Sequence, residues 1–209
     1  MFITLEGLDG SGKTTQAKLL AESLRKQGYE VKLCREPGDT TLGEIIRGLL
    51  VNGGPELPVN RYAEMLLFMA ARAQLVEEVI RPALDEGQIV ISDRYLLSGV
   101  VYQGHAGDLD PAEVACIGAY VTDFLQPDCT VILDLDPALA EQRRGKPRDN
   151  RERRIPAYFE RVRLGYLREA TTDPIRRKVV DASGDRDHVS QLVQEAVQRR
   201  MQAPLRRAA

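Results

Sequence analysis

Gly7-Leu8-Asp9-Gly10-Ser11-Gly12-Lys13-Thr14 has the residue types and the spacing of a phosphate-binding loop: a glycine, four residues, then Gly-Lys-Thr. The apolar run Phe2-Ile3-Thr4-Leu5 leads into it and a helical pattern follows, which is the context the motif requires. In such a loop consecutive backbone N–H groups converge on phosphate oxygens. Glycines let the main chain approach closely, and the helix N-terminus adds positive potential. Lys13 then reaches the β- and γ-phosphates of a nucleotide, and the Thr14 hydroxyl ligates Mg2+. A dinucleotide-binding fingerprint fits less well, because it needs glycine three residues after Gly12, where Thr15 stands.

A second constellation, Asp93-Arg94-Tyr95, follows the apolar run Ile89-Val90-Ile91-Ser92. Asp93 can hold Mg2+ or its water shell, and the Arg94 fork can bridge two phosphates. An ion pair at a strand end is the plainer alternative. Phe68 and Arg72 are four residues apart on a helical pattern and so share a face, as do Ser98 and Tyr102 if their segment is helical. On spacing alone, Phe68 reads as core and Arg72 as a surface charge. Between Arg143 and Arg154 seven basic side chains face only Asp149 and Glu152. Gly145 and Pro147 break helix there, so a mobile basic loop is expected.

Strands must present these groups. The candidates are Phe2 to Glu6, Val31 to Arg35, Ile89 to Asp93, Thr130 to Asp134 and Lys178 to Asp181. Helical patterns lie between them: Lys13 to Gln27, Leu42 to Leu50, Arg61 to Asp85, Ala112 to Phe124, Ala157 to Ala170 and His188 to Met201. Pro82 is expected to kink or interrupt the third. Alternating strands and helices require right-handed crossovers and a parallel sheet covered on both faces. Ligands then bind at the carboxyl ends of the strands, where Gly7 to Thr14, Arg35 to Gly38, Asp93 to Tyr95 and Asp134 to Asp136 all fall.

The 209 residues suffice for one domain. The 29 Lys plus Arg nearly balance 31 Asp plus Glu, so no global basic field exists to hold nucleic acid or an anionic membrane. Cys34, Cys116 and Cys129 lack zinc-site spacing and read as reduced, mostly buried residues. With no signal-like or membrane-spanning run, a cytoplasmic protein is expected.

Six segments together resemble the thymidylate kinases, a family of P-loop nucleoside monophosphate kinases. They are Leu5-Glu6-Gly7, Arg35-Glu36-Pro37-Gly38, Leu67-Phe68-Met69-Ala70-Ala71-Arg72, Asp93-Arg94-Tyr95-Leu96-Leu97-Ser98, Tyr102-Gln103-Gly104 and Arg161-Val162-Arg163-Leu164-Gly165-Tyr166, in family order. The resemblance implies an α/β P-loop NTPase fold, a parallel five-stranded sheet with helices on both faces and a short basic lid at about 143–154. It implies transfer of the ATP γ-phosphoryl group to dTMP, with Mg2+, in a homodimer packed through helices.

By the same resemblance, Gly7 to Thr14 and Thr15 hold the nucleotide, Phe68 stacks on thymine and Arg72 donates to its O4. Ser98, Tyr102 and Gln103 lie beside base and sugar, and the Tyr102 ring can exclude a 2′-hydroxyl. Asp9 accepts from the 3′-hydroxyl, while Arg35, Pro37 and Arg47 serve the acceptor phosphate. Glu36-Pro37 is expected to be cis. Lys13, Arg94, Asp9 and lid arginines among Arg148, Arg151 and Arg153 form the catalytic set. Ala182 to Asp185 resembles the adenine-contacting loop. Two departures stand out: Asp39 where the family often has glycine, and Asn150-Arg151-Glu152-Arg153 where it often reads Asp-Arg-x-Glu. A kinase for another nucleotide or deoxynucleoside remains an alternative, as does a P-loop switch protein. The sequence has no guanine-reading Asn-Lys-x-Asp segment.

Overall fold

A computed structural model describes residues 1–52, 58–144 and 156–202. Five strands form one sheet: β1 (Phe2–Gly7), β2 (Val31–Arg35), β3 (Ile89–Asp93), β4 (Cys129–Asp134) and β5 (Arg177–Asp181). The order is β2-β3-β1-β4-β5 and every pairing is parallel, as the alternating pattern requires. Register aligns the carboxyl ends: Leu5 lies opposite Asp93, Arg35 also opposite Asp93, and Gly7 opposite Leu133. The loops expected to hold chemistry therefore emerge from one edge of the sheet.

Central β1 is buried at every position. Ile3 and Leu5 join Ala17, Leu20, Ala21 and Leu24 of α1 (Lys13–Lys26) and Val189, Val193 and Val197 of α9 (Arg186–Gln202). These helical positions recur every three or four residues, which gives each helix one apolar stripe. Alternation along the strand turns Phe2, Thr4 and Glu6 to the other face. There the Phe2 ring meets Tyr95 edge-on at 4.9 Å, and the Thr4 hydroxyl donates to Thr130 at 2.9 Å. Helices α3 (Arg61–Leu75), α5 (Leu96–Gly99) and α6 (Pro111–Val121) cover this face, and α8 (Pro156–Thr172) reaches it where the Tyr166 hydroxyl meets Glu6.

The α-helical run expected over Arg61 to Asp85 is interrupted just ahead of Pro82. The chain passes from α3 through a wide π turn (Val76–Ile80) into α4 (Arg81–Asp85), and Pro82 falls in the first turn of α4, where its missing N–H is tolerated. The α6 helix stops at Val121, short of the expected Phe124, because Asp123 and Phe124 adopt left-handed backbone angles, φ 48° and 56°. Helix α7 (Pro137–Arg144) was not anticipated. Its signal was present in Asp136-Pro137: the Asp136 carboxylate accepts from Ala138 N at 2.9 Å, with proline at the first helical position. Helix α2 (Thr41–Asn52) and a second wide π turn (Val100–His105), which continues α5 and carries Tyr102 and Gln103, complete the described elements. Cys34 and Cys129 are buried, Cys116 is exposed, and all three are free thiols. Among the described residues, no helix is long and apolar enough to cross a membrane.

Candidate active site

The loop between β1 and α1 is shaped by close backbone approach. Gly10 has φ 93°, and a Cβ there would lie 2.2 Å from the Ala140 carbonyl oxygen of α7; Gly12, at φ 92°, caps α1. The buried Lys13 Nζ donates to the Leu8 carbonyl at 2.7 Å and lies 3.7 Å from Asp9. Burial and the like charge of Arg94 push its ammonium down to about 8, against the pull of Asp9, Asp93 and Glu6. Ser11 Oγ is buried without a protein partner. The features of this loop that fit a polyphosphate are those on the cavity wall: Gly10, Gly12, Lys13 and Thr14 at the N-terminus of α1.

Thr14 Oγ1 donates to Asp93 Oδ2 at 2.5 Å, so the two elements expected to serve a metal converge. A hydroxyl and one carboxylate suit Mg2+, which keeps waters and phosphate oxygens as its other ligands. Among the described residues no cluster of three or more His, Cys, Asp and Glu forms an all-protein metal cage.

Arg94 is the hub. Its backbone is left-handed, φ 74°, and its guanidinium is mostly buried. One nitrogen reaches Asp9 Oδ1 at 2.5 Å; the other reaches Ser98 Oγ at 2.8 Å, Gly7 O at 3.2 Å and Tyr166 OH at 3.3 Å. The group also stands 5.0 Å over the Tyr102 ring. Burial alone would raise the Asp9 carboxyl, but the charges of Arg94 and Lys13 hold it well below the usual range. Reciprocally, burial lowers the Arg94 pKa, but Asp9, Tyr102, Tyr166 and Glu6 together raise it well above the ordinary value.

The far end is built from α3 and the turn after β2, where Glu36-Pro37 is cis. Arg72 is not the surface charge that spacing alone implied: it is 1% exposed and fork-paired to Glu36, with Nε at 3.0 Å from Oε2. Gly99 leaves room for it, since a Cβ there would lie 3.3 Å from Arg72 Nη2. Half-buried Phe68 stands one turn away. Gln103 donates to Glu64 at 3.0 Å. Arg47 donates to the Pro37 carbonyl at 2.9 Å, and Arg35 pairs with Glu44 at 2.7 Å. The departure at Asp39 has a local answer: its carboxylate lies 3.7 Å from Arg35, and its N–H donates to Glu44 at 2.9 Å.

One cavity of about 620 Å3 is lined by Asp9, Gly10, Gly12, Lys13, Thr14, Thr15, Arg35, Pro37, Arg47, Phe68, Arg72, Asp93, Arg94, Ser98, Tyr102 and Gln103. Gly7, Leu8 and Ser11 are not on its wall. Arg148, Arg151 and Arg153 lie outside the described residues. The expected lid at 143–154 begins within α7, because Arg143 and Arg144 close that helix.

Beyond placing Arg143 and Arg144 at the start of the basic lid, sequence reasoning assigned no individual role to several residues found here. Arg143 donates to the carbonyls of Ala182, Ser183 and Gly184, tying the loop after β5 to the cavity wall. The Arg144 guanidinium stacks 5.2 Å over Phe159. Tyr158 donates to the Tyr102 carbonyl at 3.0 Å. Only Glu36 and Glu6 carried a signal, as acids among otherwise buried positions.

The model of the family described as "Thymidylate kinase" matches residues 5–193. A thymidylate kinase of Deinococcus radiodurans is 43% identical over 203 residues, 96% of this chain and 97% of that protein. One of Bifidobacterium longum is 44% identical over 185 residues, covering 88% and 90%. The crystal structure of thymidylate kinase from Ehrlichia chaffeensis superposes with a TM-score of 0.79 at 33% identity, over 95% of this chain and 98% of that one.

Proposed function

Because the chain belongs to the thymidylate kinase family and is an enzyme that phosphorylates dTMP, we propose that it carries the γ-phosphoryl group of MgATP directly to dTMP in line, without a phosphoenzyme. The observation that carries this reading is the single cavity joining the phosphate loop to Phe68 and Arg72. Catalysis is then positioning plus charge stabilisation. Lys13 and Arg94 offset charge on the transferring group. Asp9, held ionised beside Arg94, is an acceptor for the sugar 3′-hydroxyl. Arg35 and Arg47 flank the acceptor phosphate, with Pro37 between them, and Phe68 stacks on the base while Arg72 donates to it. Ser98, Tyr102 and Gln103 bound the sugar side. Thr14 and Asp93 would hold Mg2+, which when bound would neutralise charge on the phosphates. By family resemblance, Arg148, Arg151 and Arg153 add further positive charge.

The proposed homodimer rests on α3, α6 and the turn after α6, where Tyr62, Leu66, Tyr120 and Phe124 are exposed. Sedimentation of the parent and a Tyr120→Asp/Phe124→Asp variant tests it. The proposed cytoplasmic location is consistent with the lack of any spanning helix among the described residues. A panel of common nucleoside and deoxynucleoside monophosphates with MgATP tests the acceptor. dTMP is expected to give the highest kcat/KM; another acceptor ahead of it would overturn the assignment of the base pocket.

A further inference from the structure

Glu6 sits where an acid is costly, fully buried in the central strand. The neighbouring inward position on the same face, Thr4, meets burial with a hydroxyl pair. Glu6 is instead surrounded by donors: Tyr95 N–H reaches Oε1 at 2.9 Å, and the Ser98 and Tyr166 hydroxyls reach Oε2 at 2.5 and 3.2 Å. Those two hydroxyls also lie 2.8 and 3.3 Å from Arg94 Nη1, and 2.8 Å from each other.

We propose that Glu6 is a positioning residue for phosphoryl transfer: its carboxylate fixes the direction of the Ser98 and Tyr166 hydroxyls, and their remaining lone pairs hold the Arg94 guanidinium. The proton count supports this. Above about pH 7, the pH of the assays below, Glu6 is a carboxylate and only accepts, so Ser98 gives it its single proton, and Tyr166 gives its own either to Glu6 or to Ser98. Both oxygens then face Arg94 as acceptors, which is what a guanidinium with donors alone requires. A glutamine at position 6 would offer an N–H toward the same hydroxyls and turn their protons toward Arg94, donor against donor. Arg94 needs such a tether, since its left-handed backbone is uncommon for a residue with a side chain. Asp9, its other strong partner, is itself 41% exposed.

The inference rests on the reading of Arg94 as a phosphate-contacting residue, so Arg94→Ala is measured beside Glu6→Gln, Tyr166→Phe and their combination. Steady-state kcat, dTMP affinity by calorimetry and melting temperature are compared above about pH 7. Glu6→Gln is expected to lower kcat by about 10- to 100-fold, the scale of a displaced catalytic group, with dTMP affinity changed much less. The double variant is expected to be no slower than the slower single, because both act through one contact. Thr4→Val, which removes a buried hydrogen bond on the same strand, is expected to lower the melting temperature while leaving kcat unchanged. If Glu6→Gln and Tyr166→Phe keep parental kcat while Arg94→Ala loses it, the positioning role is wrong and Arg94 stands. If Arg94→Ala keeps parental kcat, the reading of Arg94 fails and the inference falls with it. Should Glu6→Gln not fold, Tyr166→Phe decides alone: parental kcat overturns the proposal and a fall with dTMP affinity retained supports it.

Discussion

Glu36 and Arg72, 36 residues apart, meet in a two-pronged ion pair buried on both sides, 3% and 1% exposed. Glu36 follows β2 and Arg72 lies on α3, so the pair fixes the Phe68 side of the cavity against the carboxyl edge of the sheet. Removing one member leaves the other charge buried and unpaired, at a cost of about 3–5 kcal/mol. Glu36→Gln is therefore expected to lower the melting temperature by roughly 6–20 °C for a chain of this size, and to raise KM for dTMP. Calorimetry and steady-state kinetics check this. A variant melting within a degree or two of the parent would show that the pair does not carry stability.

Lys13→Ala is expected to fold normally and to lose about 10³-fold in kcat, since one oriented charge on the transferring group is removed. Near-parental turnover by a folded variant would remove Lys13 from the catalytic set.

Discrimination between dTMP and dUMP rests on one methyl group, so their kcat/KM values are expected to differ by about 10- to 200-fold. Purine monophosphates meet the Phe68 and Arg72 end of the cavity with the wrong shape and are expected to be rejected more strongly. Competition assays read both ratios; comparable values for AMP and dTMP would contradict the pocket assignment.

Burial pushes the Glu6 carboxyl from 4.5 up to about 7, with the Glu36 charge adding to it; the Ser98 hydrogen bond, the Arg94 charge and the Tyr95 N–H oppose the rise. The folded chain thus holds this proton more tightly than the unfolded one. Its contribution to stability is complete below about pH 4.5 and is lost as pH rises through about 7. Glu6→Gln does not titrate. Its melting temperature relative to the parent is therefore expected to improve as the pH of the scan is raised across that window. A difference independent of pH would show that Glu6 does not titrate there.

Local order in the chain was enough for the sheet, for the phosphate loop and for the pairing of Thr14 with Asp93. Apolar runs set the strands, turn residues set their ends, and a parallel α/β sheet brings strand ends together whatever the details of packing. Resemblance then gathered Phe68, Arg72, Ser98 and Tyr102 into one site, and the cavity contains all four. Spacing alone left Arg72 on the surface, because the partner that buries it lies on another element. The same limit hid the roles of Glu6, Tyr166 and Arg143: each acts through a contact between segments 39 to 160 residues apart. Periodicity records which face of an element is buried, but only the tertiary fold decides which polar group on that face meets which other. In this chain that choice sets the orientation of two of the arginines that line the cavity, Arg72 and Arg94.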